Sequence, residues 1–336
     1  MQGREIVFTA KKQVEVLPYE VPELGPREVL IETDYTVLSA GTERSFLMDG
    51  PNVVHGFPKR LGYSGSGRIV KVGAEVTEFH VGDRVLTDHL NHRSHCVCEF
   101  QKNANGFFRI EEPEVDQLEA AFVVIGSMGV QGARKTRLQL GESGMVTGLG
   151  ILGMFAVQTL ALSGGLPVMA VDFDAKRREI ALQLGADLAL DPSQPDFVDK
   201  VREATHGRMV NCNVEVTGSA KALVQALTVA SREGRISLTG CTRVSDTPVD
   251  FYQLVHKPGV QLIGAHNFIR PAFDSREGYW TRHDDFAMML GMMARGKMKA
   301  KPLISDVVSP ERAPEIYQRL VENPAAPMGI VFDWHK

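Results

Sequence analysis

The residues with the plainest chemical purpose are Gly148-Leu149-Gly150-Ile151-Leu152-Gly153. They follow a run at 144–148 that reads as a short buried strand, and they open an apolar stretch through Met154, Val157, Leu160 and Leu162 that suits a helix. In a strand, glycine turn and helix of this kind, Gly148 permits the tight turn, Gly150 lets the backbone approach a pyrophosphate, and Gly153 lets helix and strand pack closely. The helix N-terminus, with Ile151 and Leu152 in its first turn, then faces the phosphates of a dinucleotide. A second apolar strand at 167–171 ends in Asp172, at the spacing where a carboxylate accepts hydrogen bonds from the adenosine ribose. Such an acid favours the 2′-hydroxyl of NAD and repels the 2′-phosphate of NADP, so NAD is the expected cofactor. Arg177 and Arg178 leave NADP open, because guanidinium groups bind phosphate well; the alternative is that they are solvated helix residues.

Those residues need a sheet to hold them. From residue 144 onward the pattern alternates strands (144–148, 167–172, 186–190, 211–216, 234–240, 259–264) with helical stretches, which predicts a doubly wound, six-stranded parallel Rossmann sheet over 119–268. Residues 1–118 instead carry short β-like segments separated by Pro and Gly turns, such as 28–32 and 67–72, and predict a partly open β-barrel. Between the two, 116–137 has a helical pattern; after 268 come helices around 284–295 and 310–322 and a closing strand at 328–332. The fold class is therefore α/β.

Length and composition bound the function. At 336 residues the chain exceeds what one compact core usually serves, and its 43% hydrophobic and 23% charged residues are ordinary globular values. A net charge of −4 gives no reason to expect a nucleic-acid partner. No apolar run reaches membrane-spanning length and the start lacks a signal-peptide pattern, so no membrane partner and a cytoplasmic home are expected. Four cysteines, Cys96, Cys98, Cys212 and Cys241, do not make a disulfide framework in a chain this long.

A second motif set runs Gly62-Tyr63-Ser64-Gly65-Ser66-Gly67, Val72-Gly73-Ala74-Glu75-Val76 and Gly82-Asp83-Arg84-Val85. With the dinucleotide fingerprint behind it, this closely resembles the medium-chain dehydrogenase/reductase family, whose zinc branch carries Gly-His-Glu at the place of residues 62–64. The resemblance covers essentially the full length. It implies a GroES-like catalytic domain, discontinuous over 1–118 and 269–336, around a Rossmann domain at 119–268. It also implies further cofactor contacts at Thr217, Gly240 and Cys241, whose alternative reading is plain turn chemistry.

What the resemblance implies for metal is a loss. Ala40 stands where zinc members have a ligand cysteine, Tyr63 stands in place of the ligand histidine, and the third ligand falls near Val124-Ile125. The relay hydroxyl survives as Thr42, while the histidine that some relatives carry three residues later is Ser45. A catalytic zinc needs three protein donors, so no zinc is expected. The structural four-cysteine lobe has no room either, because only about ten residues separate Val85 from His95. A rival set, His89, His92 and His95 with Cys96 and Cys98, has suitable ligand types, but residues three apart on an extended segment point to opposite faces.

Without a Lewis acid, an alcohol proton must go to a side chain while hydride goes to the nicotinamide. Tyr63 and Glu43 are the candidate acceptors because they replace or flank ligand positions, with Thr42 as the third. Lys59 and Arg60 supply the positive charge a phenol needs near neutrality. The competing reading is that Tyr63 only fills vacated volume and Glu43 only pairs with Arg44.

A polar cleft of Glu43, Tyr63, His89, His92, Asn267 and Arg270, with Lys59 beside it, suits a hydroxylated, sugar-like or acidic small molecule. The segment 38–44 also resembles a zinc-lacking subset with a Gly-Thr-Glu-Arg signature that includes bacteriochlorophyllide dehydrogenases and sugar-oxidoreductase-like proteins. With two Trp and six Tyr the chain is not rich enough in aromatics for a large flat macrocycle. The expected activity is NAD-dependent interconversion of a secondary alcohol and a ketone on a sugar or polyol derivative. An NADPH-dependent quinone or enone reductase is the first alternative, against which Asp172 counts; a non-catalytic nucleotide-binding scaffold or sensor is the second. The apolar strand at 260–263 is where relatives pair sheets between subunits, so a homodimer is expected.

Overall fold

The computed structural model describes residues 1–323 and 328–336. The chain forms two compact units, one of residues 1–125 and 286–336 and one of residues 126–285.

The first unit opens with a hairpin of β1 (Gln2–Ala10) and β2 (Gln13–Glu20), paired antiparallel. There follow β3 (Glu28–Val37), α1 (Ala40–Leu47), β4 (Ser64–Val72), β5 (Arg84–Asp88), β6 (His95–Glu99), β7 (Gly106–Arg109) and the short α2 (Gln117–Ala120). Strands β3, β4, β5 and β7 pair antiparallel in that order, with β6 on the upper part of β3. Alternate residues turn inward, as a half-buried strand requires: Val29 and Ile31 of β3, Ile69 of β4, Val85 of β5, Cys96 of β6 and Phe107 of β7 form one core cluster. This is the expected GroES-like, partly open barrel.

The helix expected over 116–137 is broken. Asp116 caps α2, accepting from the Leu118 N–H, and α3 (Val123–Lys135) begins only after Phe122. The physical reason is Ser64: its hydroxyl donates to the Ala121 carbonyl at 2.6 Å and accepts from the Ile125 N–H at 3.0 Å. It thus bridges the two backbone groups that an unbroken helix would pair directly, and an inserted side chain of this kind interrupts the ladder.

The second unit holds β8 (Gly144–Thr147), α4 (Ile151–Leu162), β9 (Val168–Val171), α5 (Ala175–Gln183), β10 (Leu188–Leu190), α6 (Phe197–Ala204), β11 (Val210–Glu215), α7 (Ala220–Thr228), β12 (Ala230–Leu238) and β13 (Gln261–Gly264). All six strands are parallel, in the order β10-β9-β8-β11-β12-β13. The order reverses between β8 and β11, which makes the carboxyl ends of those strands the switch point of a doubly wound sheet. Helix α4 is apolar all round, with Met154, Phe155, Ala156 and Val157 fully buried, as expected of a central crossover helix.

The chain then passes through α8 (Arg282–Ala294) to β14 (Asp306–Val308), α9 (Ala313–Glu322) and β15 (Ile330–Asp333). Strand β15 pairs antiparallel with β3 and parallel with β14, extending the barrel sheet. Helix α9 buries Ile316, Tyr317 and Leu320 against Phe8, Leu47 and Phe332. Each such side chain contributes about 1.5–3 kcal/mol.

The boundaries differ from those expected at 118/119 and 268/269. Residues 269–285 stay with the second unit because α3 holds them there. Arg270 donates to the Ser127 carbonyl at 2.8 Å and pairs with Asp285, which also takes Arg134 at 2.7 Å, while Arg134 lies 3.8 Å from the Trp280 ring centre.

Candidate active site

The glycine turn of the second unit is built as its sequence requires. Gly148 has φ +96°, a conformation L side chains rarely adopt. A Cβ on Gly153 would lie 1.9 Å from the Gly148 carbonyl oxygen, so only glycine fits against the strand. A Cβ on Gly150 would meet nothing within 4 Å; the space above the turn is open. No side chain caps α4 at its Ile151 and Leu152 end, the arrangement that an anion-binding helix terminus needs.

Asp172 closes this turn from the neighbouring strand. Its carboxylate accepts the Leu149 N–H at 2.8 Å and the Asp174 N–H at 2.9 Å, and so pins the glycine loop. Arg177 lies 4.0 Å from the same carboxylate, and Arg178 donates to the Asp172 and Phe173 carbonyls.

Beside the switch point the turns that follow β11 and β12 touch. A Cβ on Gly240 would sit 2.4 Å from the Gly218 nitrogen, and one on Gly218 would sit 2.6 Å from the Cys241 carbonyl oxygen. Thr217 donates its N–H to the Glu215 carboxylate at 2.7 Å and its hydroxyl to the same oxygen. Burial raises the Glu215 carboxyl above the usual carboxylate range, partly offset by the Thr217 and Gly218 donors. The open space over Gly150, the uncapped α4 terminus and the Asp172 carboxylate at the end of β9 together fit a dinucleotide.

In the first unit the structure brings Tyr63 and His89 together. Their rings stack with centres 5.4 Å apart and 26° between planes. The Tyr63 hydroxyl shares a 2.7 Å hydrogen bond with the hydroxyl of Ser39, the residue that leads into α1. His89 Nδ1 lies 2.5 Å from the Asp88 carboxylate, at the end of β5. Thr42 sits half-buried in α1, three residues after Ser39. Ser39 and Asp88 were not singled out from the sequence. An acid directly followed by a histidine at a strand end was the available signal for the second; nothing local marks the first.

Glu43, expected as a proton acceptor facing substrate, is an interior pin instead. It is 1% exposed, and its carboxylate accepts the Ser39 N–H at 2.9 Å and the Tyr317 hydroxyl, and lies 3.2 Å from His92 Nε2. Nor does it pair with Arg44, whose Nε donates to the Leu320 carbonyl. Burial and then the Glu43 charge push the Tyr317 phenol well above the ordinary tyrosine value, so it remains a donor. His92 is likewise no lining of an open cleft: it is 1% exposed, with Nδ1 on Thr36 Oγ1 at 2.8 Å.

Lys59 and Arg60 do not serve Tyr63. Lys59 Nζ donates to Asp49 at 2.8 Å and to the Phe46 carbonyl at 3.0 Å, and Arg60 pairs with Glu5 at 2.7 Å. Asn267 and Arg270 bind each other in the second unit, where Arg270 is committed to Asn267, Ser127 and Asp285 as an internal clamp.

The donor set at the family's ligand positions does not fit a zinc ion. Ala40 offers a methyl group, Tyr63 is bonded to Ser39, and Val124 and Ile125 are apolar and buried. Each rival histidine has its own separate partners: His89 has Asp88, His92 has Thr36 and Glu43, and His95 has Ser94. Burial raises the Cys96 thiol to about 11 and raises that of Cys98 further still.

A partly open barrel unit and a doubly wound Rossmann unit with a glycine turn define the fold class of alcohol dehydrogenase-type oxidoreductases. Residues 25–157 match the alcohol dehydrogenase GroES-like domain, and residues 152–272 match the zinc-binding dehydrogenase domain. L-threonine 3-dehydrogenase of Symbiobacterium thermophilum is 30% identical over 256 residues, covering 66% of this chain and 70% of that protein. Sorbitol dehydrogenase of Bacillus subtilis is 24% identical over 94% of this chain and 92% of its own length. Among solved structures, 2R,3R-butanediol dehydrogenase from Bacillus subtilis superposes with a TM-score of 0.80 at 20% identity, covering 98% of this chain and 99% of the other. An Escherichia coli CFT073 alcohol dehydrogenase complexed with NADH (0.81, 18%) and a Sinorhizobium meliloti 1021 dehydrogenase bound to NADP (0.82, 18%) each cover 99% of both chains. The chain belongs to the medium-chain dehydrogenase/reductase superfamily, a family of alcohol dehydrogenase-type oxidoreductases. Among the described residues no helix is long and apolar enough to cross a membrane.

Proposed function

We propose that this protein interconverts a secondary alcohol and a ketone on a sugar- or polyol-like small molecule, with NAD as hydride partner and without zinc. The observation that carries the reading is the replacement of the family's metal ligands by Ala40 and a Tyr63 whose hydroxyl is held on Ser39 at 2.7 Å. Such a site offers hydrogen-bonding hydroxyls where a Lewis acid would otherwise polarise the substrate oxygen.

The second unit supplies cofactor binding. Ile151 and Leu152 amides at the helix terminus hold the pyrophosphate, Asp172 holds the ribose, and the Thr217, Gly240 and Cys241 edge meets the nicotinamide end. When bound, nicotinamide supplies the hydride acceptor. Asp172 favours NAD, while Arg177, 4.0 Å from it, leaves room for NADP. The polyol preference draws support from the sorbitol and butanediol dehydrogenases among the relatives. Strand β13 closes one end of the six-stranded sheet, and pairing of that edge with a second copy would give a homodimer.

The test is a panel of polyols, sugar alcohols, simple secondary alcohols and enones, assayed with NAD(H) and NADP(H) after exhaustive chelation. NAD-linked turnover of a polyol that survives chelation is expected. Activity restored only by added zinc would overturn the metal-free reading, and NADPH-linked enone reduction with none on polyols would favour a quinone or enone reductase. Cofactor binding without any turnover would leave a nucleotide-binding scaffold.

A further inference from the structure

His89 combines three features that the first unit's other histidines do not share. Its Nδ1 lies 2.5 Å from Asp88, whose side chain is only 2% exposed, and its own side chain is 26% exposed. A carboxylate only accepts hydrogen bonds, so Nδ1 carries the hydrogen and Nε2 presents its lone pair. The residue also adopts φ +59°, the left-handed region that a β-substituted side chain rarely occupies and that recurs where function over-determines the backbone. Finally, its ring lies flat on Tyr63, beside the hydroxyl pair of Tyr63 and Ser39.

We propose that the Asp88–His89 dyad is the general base of the reaction, with Tyr63 and Ser39 as the hydroxyls that hold the substrate oxygen. The proposal rests on the alcohol dehydrogenase reading above. An ordinary imidazole exchanges its proton near pH 6.5 and an ordinary phenol near 10, so at neutral pH only about one phenol in a thousand is ionised. Lys59 pairs with Asp49 and Arg60 with Glu5.

In the oxidation direction the substrate C–H bond breaks with its electron pair leaving as hydride to oxidised nicotinamide. The O–H bond breaks with its proton passing to His89 Nε2, and the carbon–oxygen double bond forms. Asp88, a positioning residue, holds the tautomer and stabilises the resulting imidazolium, as a buried carboxylate does behind any histidine base. The side chain is 26% exposed, which lets the imidazolium return the proton to solvent. In ketone reduction the same atoms run in reverse. Among the described residues, the titratable groups shown against the imidazole are the Asp88 carboxylate and the Tyr63 phenol.

The test has two arms. In the protein without cofactor or substrate, the His89 imidazole is titrated by NMR in wild type and in Asp88→Asn. His335, paired with Asp34 at 2.7 Å, serves as internal reference. With the best alcohol from the substrate panel, kcat/KM is followed against pH for wild type, His89→Asn, Asp88→Asn and Tyr63→Phe. Asn accepts the left-handed backbone better than most residues, so the His89 variant should keep the turn.

The proposal expects the Asp88→Asn protein to show a lower His89 midpoint and the acid limb of kcat/KM to move down with it. His89→Asn should lose that limb and about 10²–10⁴-fold in kcat, while Tyr63→Phe keeps the limb. A His89→Asn enzyme with the limb intact and kcat within about threefold of wild type, or an imidazole midpoint unmoved by Asp88→Asn, would overturn the dyad while leaving the alcohol dehydrogenase reading standing. An inert wild type across the whole panel would overturn both.

Discussion

Removing the Glu43 carboxylate should separate a structural acid from a catalytic one. Glu43 is 1% exposed and takes three donors, the Ser39 N–H, the Tyr317 hydroxyl and the His92 ring. In Glu43→Ala all three remain buried without that partner. A buried polar group left unsatisfied costs about 1–3 kcal/mol, and the loss here falls on three such groups. Relaxation and water entry recover part of this, which puts the net loss near 4 kcal/mol. In a unit of this size each kcal/mol moves the melting temperature by about 2–4 °C, so thermal or urea unfolding should show a fall of roughly 10 °C. Glu43→Gln keeps the volume and one acceptor oxygen, and about 1–2 kcal/mol is expected. At a temperature where both variants are folded, kcat should stay within about threefold of wild type, because no oxygen of Glu43 faces an open surface. A variant that melts within about 2 °C of wild type yet loses more than a hundredfold in kcat would refute this reasoning and return Glu43 to the role of proton acceptor.

Four further outcomes follow from the second unit. Lys135 is 3% exposed, and burial, reinforced by Arg270 and Arg276, lowers its ammonium to about 8. Between that value and the unfolded 10.5 the unfolded chain binds the extra proton, so stability rises with pH there, and the charged form is a liability below pH 8. Lys135→Met should therefore be more stable than wild type at pH 7, by up to about 3 kcal/mol, and should lose the rise between pH 8 and 10 in a denaturant series. Gly150→Ala should melt no lower than wild type, since its φ of −75° suits alanine and its Cβ meets nothing within 4 Å, yet titrate NAD at least about tenfold more weakly because the methyl group occupies the pyrophosphate's space. Gly153→Ala, with its Cβ 1.9 Å from the Gly148 carbonyl, should instead lose about 1–3 kcal/mol of stability together with binding. Asp172→Asn removes the charge that repels a 2′-phosphate while keeping an acceptor for the Leu149 N–H, so the ratio of NADP to NAD affinity should rise about tenfold in equilibrium titrations.

The dinucleotide turn was legible in the sequence because its logic is local. Gly148, Gly150 and Gly153 are dictated by backbone conformation and by contacts within a strand, turn and helix, and Asp172 by the end of the next strand. The six alternating strand segments likewise carried the Rossmann topology, since right-handed crossovers leave few ways to arrange them. Strand ends were located to within a few residues. The helix break at Phe122 was not visible, because it depends on a serine hydroxyl from a distant strand.

The residue types at the positions where the resemblance places metal ligands are also read from the sequence alone: a methyl group, a phenol and two aliphatic side chains stand there whatever the chain does around them. Which polar side chain faces outward is a different matter. Glu43 and His92 look like site residues in one dimension; the structure buries them because Tyr317, 274 residues from Glu43, closes over the pair, and Lys59 is drawn to Asp49. Burial and partner choice are set by packing between segments far apart in the chain, which local propensity does not encode, and so only the tertiary structure could set Asp88 behind His89 and His89 against Tyr63.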